Sequence, residues 1–378
     1  MAAPRPDPIA SVDALDDFDA LIDTRSPAEF AEDHIPGAIN LPVLDDAERA
    51  RVGTLYVQES PFAARRIGAA LVARNIARHI EERLAQQPKH WKPLVYCWRG
   101  GQRSGAMTLV LGQIGWGARQ LEGGYRAYRR RVIADLEQWP ARYGFTVLHG
   151  PTGSGKTALL EALAAEGGQV LDLEGLARHR GSVLGGSILG DLAQAAPERG
   201  DAAPAPSGPA PQPGQKAFET GIWNALRGFD PQRPVYVESE SRRIGRLSVP
   251  STLFDVLVAS PCLRIAAPLQ ARVAHLLERY GDIYEHPEAL KQRLEFFVSL
   301  HGRKCVSQWR AWVDDARWGE LAQAMVCAHY DPAYRRGGDA LYRRAGEARV
   351  LELERLDRDA IIRAAHAILH SSGTGNAD

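Results

Sequence analysis

The chain has 378 residues, with 46 Lys and Arg against 46 Asp and Glu, so its formal charge at neutral pH is zero. Its 45% hydrophobic and 24% charged residues are an ordinary globular composition, and the length allows two or three domains at roughly 150 residues each. No apolar run reaches the roughly 18 residues of a membrane span, the acid-rich first thirty residues hold no apolar leader segment, and Cys97, Cys262, Cys305 and Cys327 form no C-x-x-C pair. Neither a membrane anchor, a disulfide scaffold nor a zinc site is therefore expected, and a reducing cytoplasm is the expected compartment. Zero net charge hides a lopsided distribution. Residues 1–50 are acidic, while Tyr125–Arg131, Arg178–Arg180 and Arg242–Arg246 are basic enough to hold phosphates.

Ala20–Arg25 is a short apolar run ending in charge and predicts a buried strand. Ser26-Pro27-Ala28-Glu29 then supplies an N-cap, a proline at the first helical position and a capping-box glutamate. His34–Ala38 breaks that helix, and Phe62–Gln87 is a long run of helix formers. Leu94–Cys97 predicts a strand, followed by the glycine-rich Arg99–Gly105 and a helix from about Ser104 to Ile114. A short strand runs into Leu121-Glu122-Gly123-Gly124. Strands alternating with helices imply a parallel sheet. A second unit begins near Tyr143: the strand Phe145–His149 enters Gly150–Thr157, and a helix follows to about Glu166. Val170–Leu173, Val235–Glu238 and Leu263–Ala267 are further strands. The Pro/Ala/Gly tract Ala195–Gly214 cannot pack a core, and from about Pro287 the chain reads as helical.

Cys97 ends a strand and opens the loop Trp98-Arg99-Gly100-Gly101-Gln102-Arg103-Ser104 before a helix. Backbone N–H groups of such a loop, at a helix N-terminus, form an anion cradle. The same field, with Arg99 and Arg103 nearby, lowers a thiol's pKa and makes Cys97 a nucleophile. Gly100, Gly101, Gln102 and Ser104 are the expected cradle. The other three cysteines read as small buried hydrophobes.

These residues resemble the rhodanese family, through Asp23-Thr24-Arg25, Ser26–Phe30, His34–Ala38, the Cys97 loop and Glu122–Tyr125. The resemblance implies a parallel-sheet domain whose loop cysteine carries sulfur or selenium. One feature departs from common sulfur-transferring rhodaneses. Five residues separate Cys97 from Arg103, one more than usual, and C-x5-R is also the spacing of cysteine phosphatases. A wider cradle suits a tetrahedral phosphate-like group, so a phosphatase reading stays open.

Gly150–Thr157 matches the phosphate-loop pattern G-x-x-x-x-G-K-[ST] in full, between a strand and a helix. Amides of Gly150, Gly153, Ser154 and Gly155 would wrap a diphosphate, Lys156 would neutralise it, and the Thr157 hydroxyl is placed to hold Mg²⁺. The usual magnesium-holding Asp is missing. Glu238 or Glu240 takes its place, or else both are a solvated charged strand end. Asp172–Ser182 packs charge and glycine after a strand, where α/β sheets bind ligands. That makes Glu174, Arg178, His179 and Arg180 candidate contacts, together with Arg242.

The fusion of the two motifs, in this order, resembles the tRNA 2-selenouridine synthase family over about Leu21–Arg336. The match includes Glu48-Arg49, Val52–Tyr56, Asp172–Ser182, Gln212–Glu219, Glu238–Gly245 and Tyr330–Arg335. The resemblance implies an α/β chain in three parts. These are a rhodanese-like domain (1–140), a P-loop NTPase-like domain (141–280, with an insertion at 195–214) and a mostly helical C-terminal region (281–370). It implies a transferase acting on the wobble 2-thiouridine of tRNA. Geranyl diphosphate first alkylates the sulfur, and selenophosphate then supplies selenium, carried by Cys97 as a perselenide-like intermediate. Whether the phosphate loop takes geranyl diphosphate or a nucleotide stays open. No tightly bound cofactor is expected, no membrane contact, and a monomer. For tRNA, Tyr125 or Trp98 is the expected stacking platform, with Arg126, Arg129, Arg130 and Arg131 as phosphate contacts. The rival is a sulfurtransferase or cysteine phosphatase coupled to a nucleotide-binding domain.

Overall fold

The computed structural model describes residues 8–179 and 211–371. Arg180 and residues 195–210 of the Pro/Ala/Gly tract lie outside them. The chain divides into two compact units, one of residues 1–136 with 214–224, the other of residues 137–213 with 225–378. No described helix is long and apolar enough to cross a membrane.

The first unit is built on five strands: β1 (Ile9–Ala10), β2 (Ala20–Asp23), β3 (Ile39–Asn40), β4 (Pro93–Tyr96) and β5 (Arg119–Leu121). They pair in the order β1-β5-β4-β2-β3, all parallel. β4 is buried at all four positions, as a strand covered on both faces must be. Helices Asp46–Gln58, Pro61–His79 and Gln102–Ile114 follow the connections, and Ile22, Ile76, Val95, Met107 and Leu111 form one apolar cluster. Gly68 carries no side chain where Val52 approaches: a Cβ there would meet its Cγ1 at 3.4 Å. The predicted capping box is present, with Ser26 and Glu29 at the start of helix Pro27–Glu32.

The unit is completed by a distant piece of chain. Helix Gln215–Arg227 places Thr220 and Trp223 against helix Gly124–Gln138. Trp223 Nε1 donates to Asp135 at 2.8 Å and Arg129 donates to Glu219 at 2.5 Å. Asp33, 2% exposed, accepts from the Tyr125 hydroxyl at 2.7 Å and from Thr220 Oγ1 at 3.1 Å. A buried carboxylate persists only when it is paired in this way.

The second unit holds β6 (Phe145–His149), β7 (Gln169–Leu171), β8 (Val235–Glu238), the short hairpin β9 (Arg243–Ile244) and β10 (Leu247–Ser248), β11 (Cys262–Ala266) and β12 (Arg349–Glu352). Its parallel sheet runs β12-β11-β6-β8-β7. The phosphate loop thus leaves a central strand. Helices Lys156–Ala165 and Arg358–Ser371 share a core through Leu159, Leu160 and Leu163 with Ile361, Ala365 and Ile368. A separate helical core gathers Leu290, Leu294, Phe297, Trp309 and Met325. The C-terminal region is therefore helical as expected, but not to its end: β12 returns to the phosphate-loop sheet. Its sequence, Arg349-Val350-Leu351-Glu352, is too short and too charged to announce a strand.

Replacing Asp33 by Ala strands Tyr125, Thr220 and part of Arg129 around an apolar hole. Loss of one partner from a buried charged network costs roughly 3 kcal/mol, and we expect a drop of that size in a urea titration of the first unit.

Candidate active site

Cys97 sits at the end of β4, 4% exposed, at the floor of its loop. The loop folds back because two glycines permit it. Gly100 has φ +66° and Gly124 φ +57°, the left-handed region that favours glycine. A Cβ on Gly124 would stand 2.3 Å from the Cys97 carbonyl oxygen and 2.4 Å from the Gly100 nitrogen. Along this contact Tyr125 N–H donates to the Cys97 carbonyl at 2.8 Å, and Arg126 N–H to that of Trp98 at 3.1 Å. The Glu122–Tyr125 motif is therefore the wall on which the cysteine loop is moulded.

The sulfur accepts from Gly101 N–H at 3.3 Å and from the Ser104 hydroxyl at 3.1 Å. Burial alone would raise the thiol's pKa. The Ser104 hydroxyl and the amides of Ser104, Arg99 and Gly101 outweigh it and hold Cys97 below the ordinary thiol value. Gln120, on β5, donates to the Gly101 carbonyl at 3.0 Å and to Ser104 Oγ at 2.8 Å. The Ser104 hydroxyl has two acceptors in reach, the Cys97 sulfur at 3.1 Å and the Gly101 carbonyl at 3.3 Å, and Gln120 competes with it for the carbonyl. Sequence reasoning missed Gln120, since a lone strand glutamine gives no signal.

Arg103 is 23% exposed and donates to Glu29 at 2.8 Å. Arg49 pairs with the same oxygen at 3.2 Å. Burial pushes Glu29 up, but Arg103 first and then Ser26 N–H and Arg49 bring it below the usual carboxylate range. Arg99 and Gln102 are exposed.

The expected RNA platform needs correction. Tyr125 is 2% exposed, its ring under the Arg25 guanidinium at 4.0 Å and its hydroxyl on Asp33. It is a core residue, and no base can stack on it. Trp98, half-buried and stacked on Tyr125 at 5.3 Å, is the outer ring of the pair. Arg129 is committed to Glu219 and Asp33, and Arg131 to Asp135 and Asp13. Of the four arginines, Arg126 and Arg130 are exposed.

In the second unit Gly153 and Gly155 have φ +80° and +86°, and a Cβ on Gly150 would meet Ser154 Oγ at 2.7 Å. Ser154 Oγ is itself buried with no hydrogen-bond partner, as suits a group meant for a phosphate oxygen. Lys156 Nζ donates to the Gly150 carbonyl at 2.7 Å. Burial depresses its pKa, against the pull of Glu174, Glu240 and Glu238. The Thr157 hydroxyl donates to Glu174 at 3.3 Å, and Glu174 N–H to Glu238 at 2.8 Å. Glu238 is 1% exposed, with Oε2 unpartnered. Burial first, then Asp172 and Glu174, push it up to about 8, and burial raises Glu174 and Glu240 as well. Glu238 is thus no solvated strand end. Among the described residues no group of three or more His, Cys, Asp and Glu is placed to hold a metal ion by itself; a Mg²⁺ at Thr157 would draw on its hydroxyl together with phosphate oxygens and water.

Arg178, with φ +48°, is exposed, and His179 is half-buried with its N–H on the Glu174 carbonyl at 3.0 Å. Arg242 donates to Ser251 Oγ at 3.0 Å. A residue the sequence did not mark is Arg272, 6% exposed. It donates to the Thr152 carbonyl at 2.7 Å and pairs with Asp331 at 2.6 Å, tying the phosphate loop to the Tyr330–Arg335 motif. Beside Thr152 lies a cavity of about 70 Å³, lined by Leu276, Tyr280, Tyr284, Trp318, Met325 and Tyr330 among others. Tyr284 and Trp318 stack at 4.7 Å. Its walls are almost wholly apolar.

Comparison with known proteins agrees with this architecture. A model of the tRNA 2-selenouridine synthase AAA domain matches residues 143–203 and 191–325, and a model of the rhodanese-like domain matches residues 10–131. The tRNA 2-selenouridine synthase of Nitrosomonas europaea is 34% identical over 264 residues, 69% of this chain and 63% of that one. That of Bdellovibrio bacteriovorus is 37% identical over 69% of this chain and 64% of its own. The chain thus spans a little under two thirds of the length of these two relatives. The synthase of Hydrogenovibrio crunogenus is 35% identical over 342 residues, 83% of this chain and 88% of that one. The chain belongs to the tRNA 2-selenouridine synthase family. Membership joins the cysteine loop and the phosphate loop as parts of one family architecture, where each motif alone is shared by many chemistries.

A hydrogen bond to an ionised group contributes roughly 1.5–3 kcal/mol, so Ser104→Ala should raise the pH of half-maximal Cys97 alkylation by about one unit or more. Gln120→Ala should move it the same way by less, with no change in the circular dichroism of the fold. For the carboxylates the sign is opposite to the usual case. Between the ordinary glutamate value and about 8 the folded site keeps a proton that the unfolded chain has released, so stability falls as pH rises through that window. Glu238→Gln should flatten this decline in unfolding curves measured from pH 5 to 9.

Proposed function

We propose that this chain replaces the sulfur of a tRNA wobble 2-thiouridine by selenium, in two steps on two loops. In the first, the thiocarbonyl sulfur attacks C1 of geranyl diphosphate: the S–C bond forms, the C–O bond breaks, and diphosphate leaves. Alkylation turns a poor sulfide leaving group into a thiolate that can be displaced. In the second, selenium from selenophosphate takes the place of the geranylated sulfur at C2.

The observation that carries the reading is the pairing of a phosphate loop with an apolar, aromatic-lined cavity at Thr152. A nucleotide base needs hydrogen-bond partners, whereas an isoprenoid chain needs a surface of this kind and the loop's grip on its diphosphate. This favours geranyl diphosphate over a nucleotide. The roles supported for the residues are Lys156 and the Gly150–Gly155 amides on the diphosphate, and Arg272 holding the loop's shape. Cys97 is the nucleophile of the selenium step. Family membership supplies the tRNA; Trp98, Arg126 and Arg130 are the surface groups available to it near the cysteine loop.

Nucleoside analysis of bulk tRNA from cells with and without the gene tests the reading directly. Loss of 2-selenouridine on deletion is expected. Unchanged 2-selenouridine, with rapid turnover of thiosulfate or an aryl phosphate by the pure protein, would instead establish the sulfurtransferase or phosphatase rival. With purified protein, Cys97→Ala should abolish selenation while S-geranyl-2-thiouridine still forms. Lys156→Ala should lower geranylation by at least tenfold, the scale of losing one strong charged contact.

A further inference from the structure

We infer that Cys97 accepts the phosphoryl group of selenophosphate rather than its selenium, and that selenium leaves the loop as free selenide. The inference rests on the selenophosphate reading above and deepens it. It starts from electron balance. In selenophosphate, selenium is at the selenide level and phosphorus at the phosphate level. Moving selenium onto the thiolate as a perselenide would oxidise it by two electrons and leave them on phosphorus, which would depart reduced to the phosphite level instead of as phosphate. No oxidant is available to make up the difference. Attack on phosphorus needs none. The Cys97 S–P bond forms, the P–Se bond breaks with its electron pair on selenium, and hydrogen selenide departs. Water then attacks phosphorus, the S–P bond breaks, and phosphate leaves with Cys97 restored as thiolate. Selenide adds to C2 of the alkylated base, the C2–S bond breaks, and the geranyl thiol carries the proton away. Every oxidation state is unchanged.

The loop is built for that acceptor. The spacing from Cys97 to Arg103 gives a cradle wider than one chalcogen atom requires. The amides of Arg99, Gly101 and Ser104 all turn toward the sulfur, which also directs them at the oxygens of a phosphoryl group bonded to it. Glu29 fixes the Arg103 guanidinium at the loop's edge by a 2.8 Å hydrogen bond, leaving other N–H groups of the fork for phosphate oxygens. The Ser104 hydroxyl, 3.1 Å from the sulfur, meets the need of the second half-reaction, in which a thiolate must be expelled. Selenide is a far weaker base than an alkoxide, so it needs no proton from an acid to depart. This agrees with the neighbourhood, where Glu29 is held as a carboxylate between Arg103 and Arg49.

The test uses the full-length protein, selenophosphate labelled with ³²P, and tRNA bearing S-geranyl-2-thiouridine. After rapid quench and digestion, the Cys97 peptide is examined for ³²P and for the selenium isotope envelope. We expect phosphorus without selenium on Cys97, and about tenfold or greater accumulation of that species in Ser104→Ala, where thiolate expulsion slows. Selenium without phosphorus on the peptide would overturn the inference while leaving the proposed function intact. So would conversion of tRNA with neither label on Cys97. Failure of the wild-type protein to form 2-selenouridine or to consume selenophosphate would remove the proposed function, and the inference with it.

Discussion

A contact with no room for a methyl group shapes the cysteine site. Gly124 lies so close to the Cys97 carbonyl and the Gly100 nitrogen that any side chain would push the two turns apart. With the turns closed, the Gly101 amide and the Ser104 hydroxyl come to bear on one sulfur. A thiol buried to this degree would otherwise stay protonated and inert. The phosphate loop obeys the same rule with other atoms. Gly150 stands against Ser154 and the Ile265 carbonyl, and Gly153 against Leu276 and Arg272. In both places the absence of a Cβ lets main-chain donors converge.

The two loops differ in how they treat charge. Around Cys97 the design favours the anion: donors converge, and the Glu29 carboxylate is neutralised by two arginines. Around Lys156 the carboxylates Glu174, Glu238 and Glu240 crowd together away from water, and each resists ionisation. Such crowding costs stability in the resting protein. Next to it, at Thr152, the surface turns apolar and aromatic, so the two sides of the loop differ sharply in polarity.

Local patterns carried much of this in the sequence. Strand β4, the capping box at Ser26 and Glu29, and the glycine spacing of both loops depend on neighbours within ten residues, and they read correctly. What depends on distant partners did not. Tyr125 looked like a platform because an aromatic next to arginines suggests nucleic acid; its burial comes from Arg25 and Asp33, some ninety to a hundred positions away. Gln120 and Arg272 act through a single hydrogen-bond geometry that no composition reveals. β12 earns its place in the sheet only by pairing with β11, since its own residues have weak claim to extended structure.

The return of residues 214–224 to the first unit has a temporal side. Synthesis proceeds at roughly 5–20 residues per second, so the ribosome needs several to nearly twenty seconds after Leu136 to deliver Thr220 and Trp223. For that interval Asp33 and Asp135 lack these partners: all five strands of the first sheet have been made, but its closing helix has not, while the phosphate-loop strand is already emerging. A gene cut after residue 136 would reproduce that waiting state permanently.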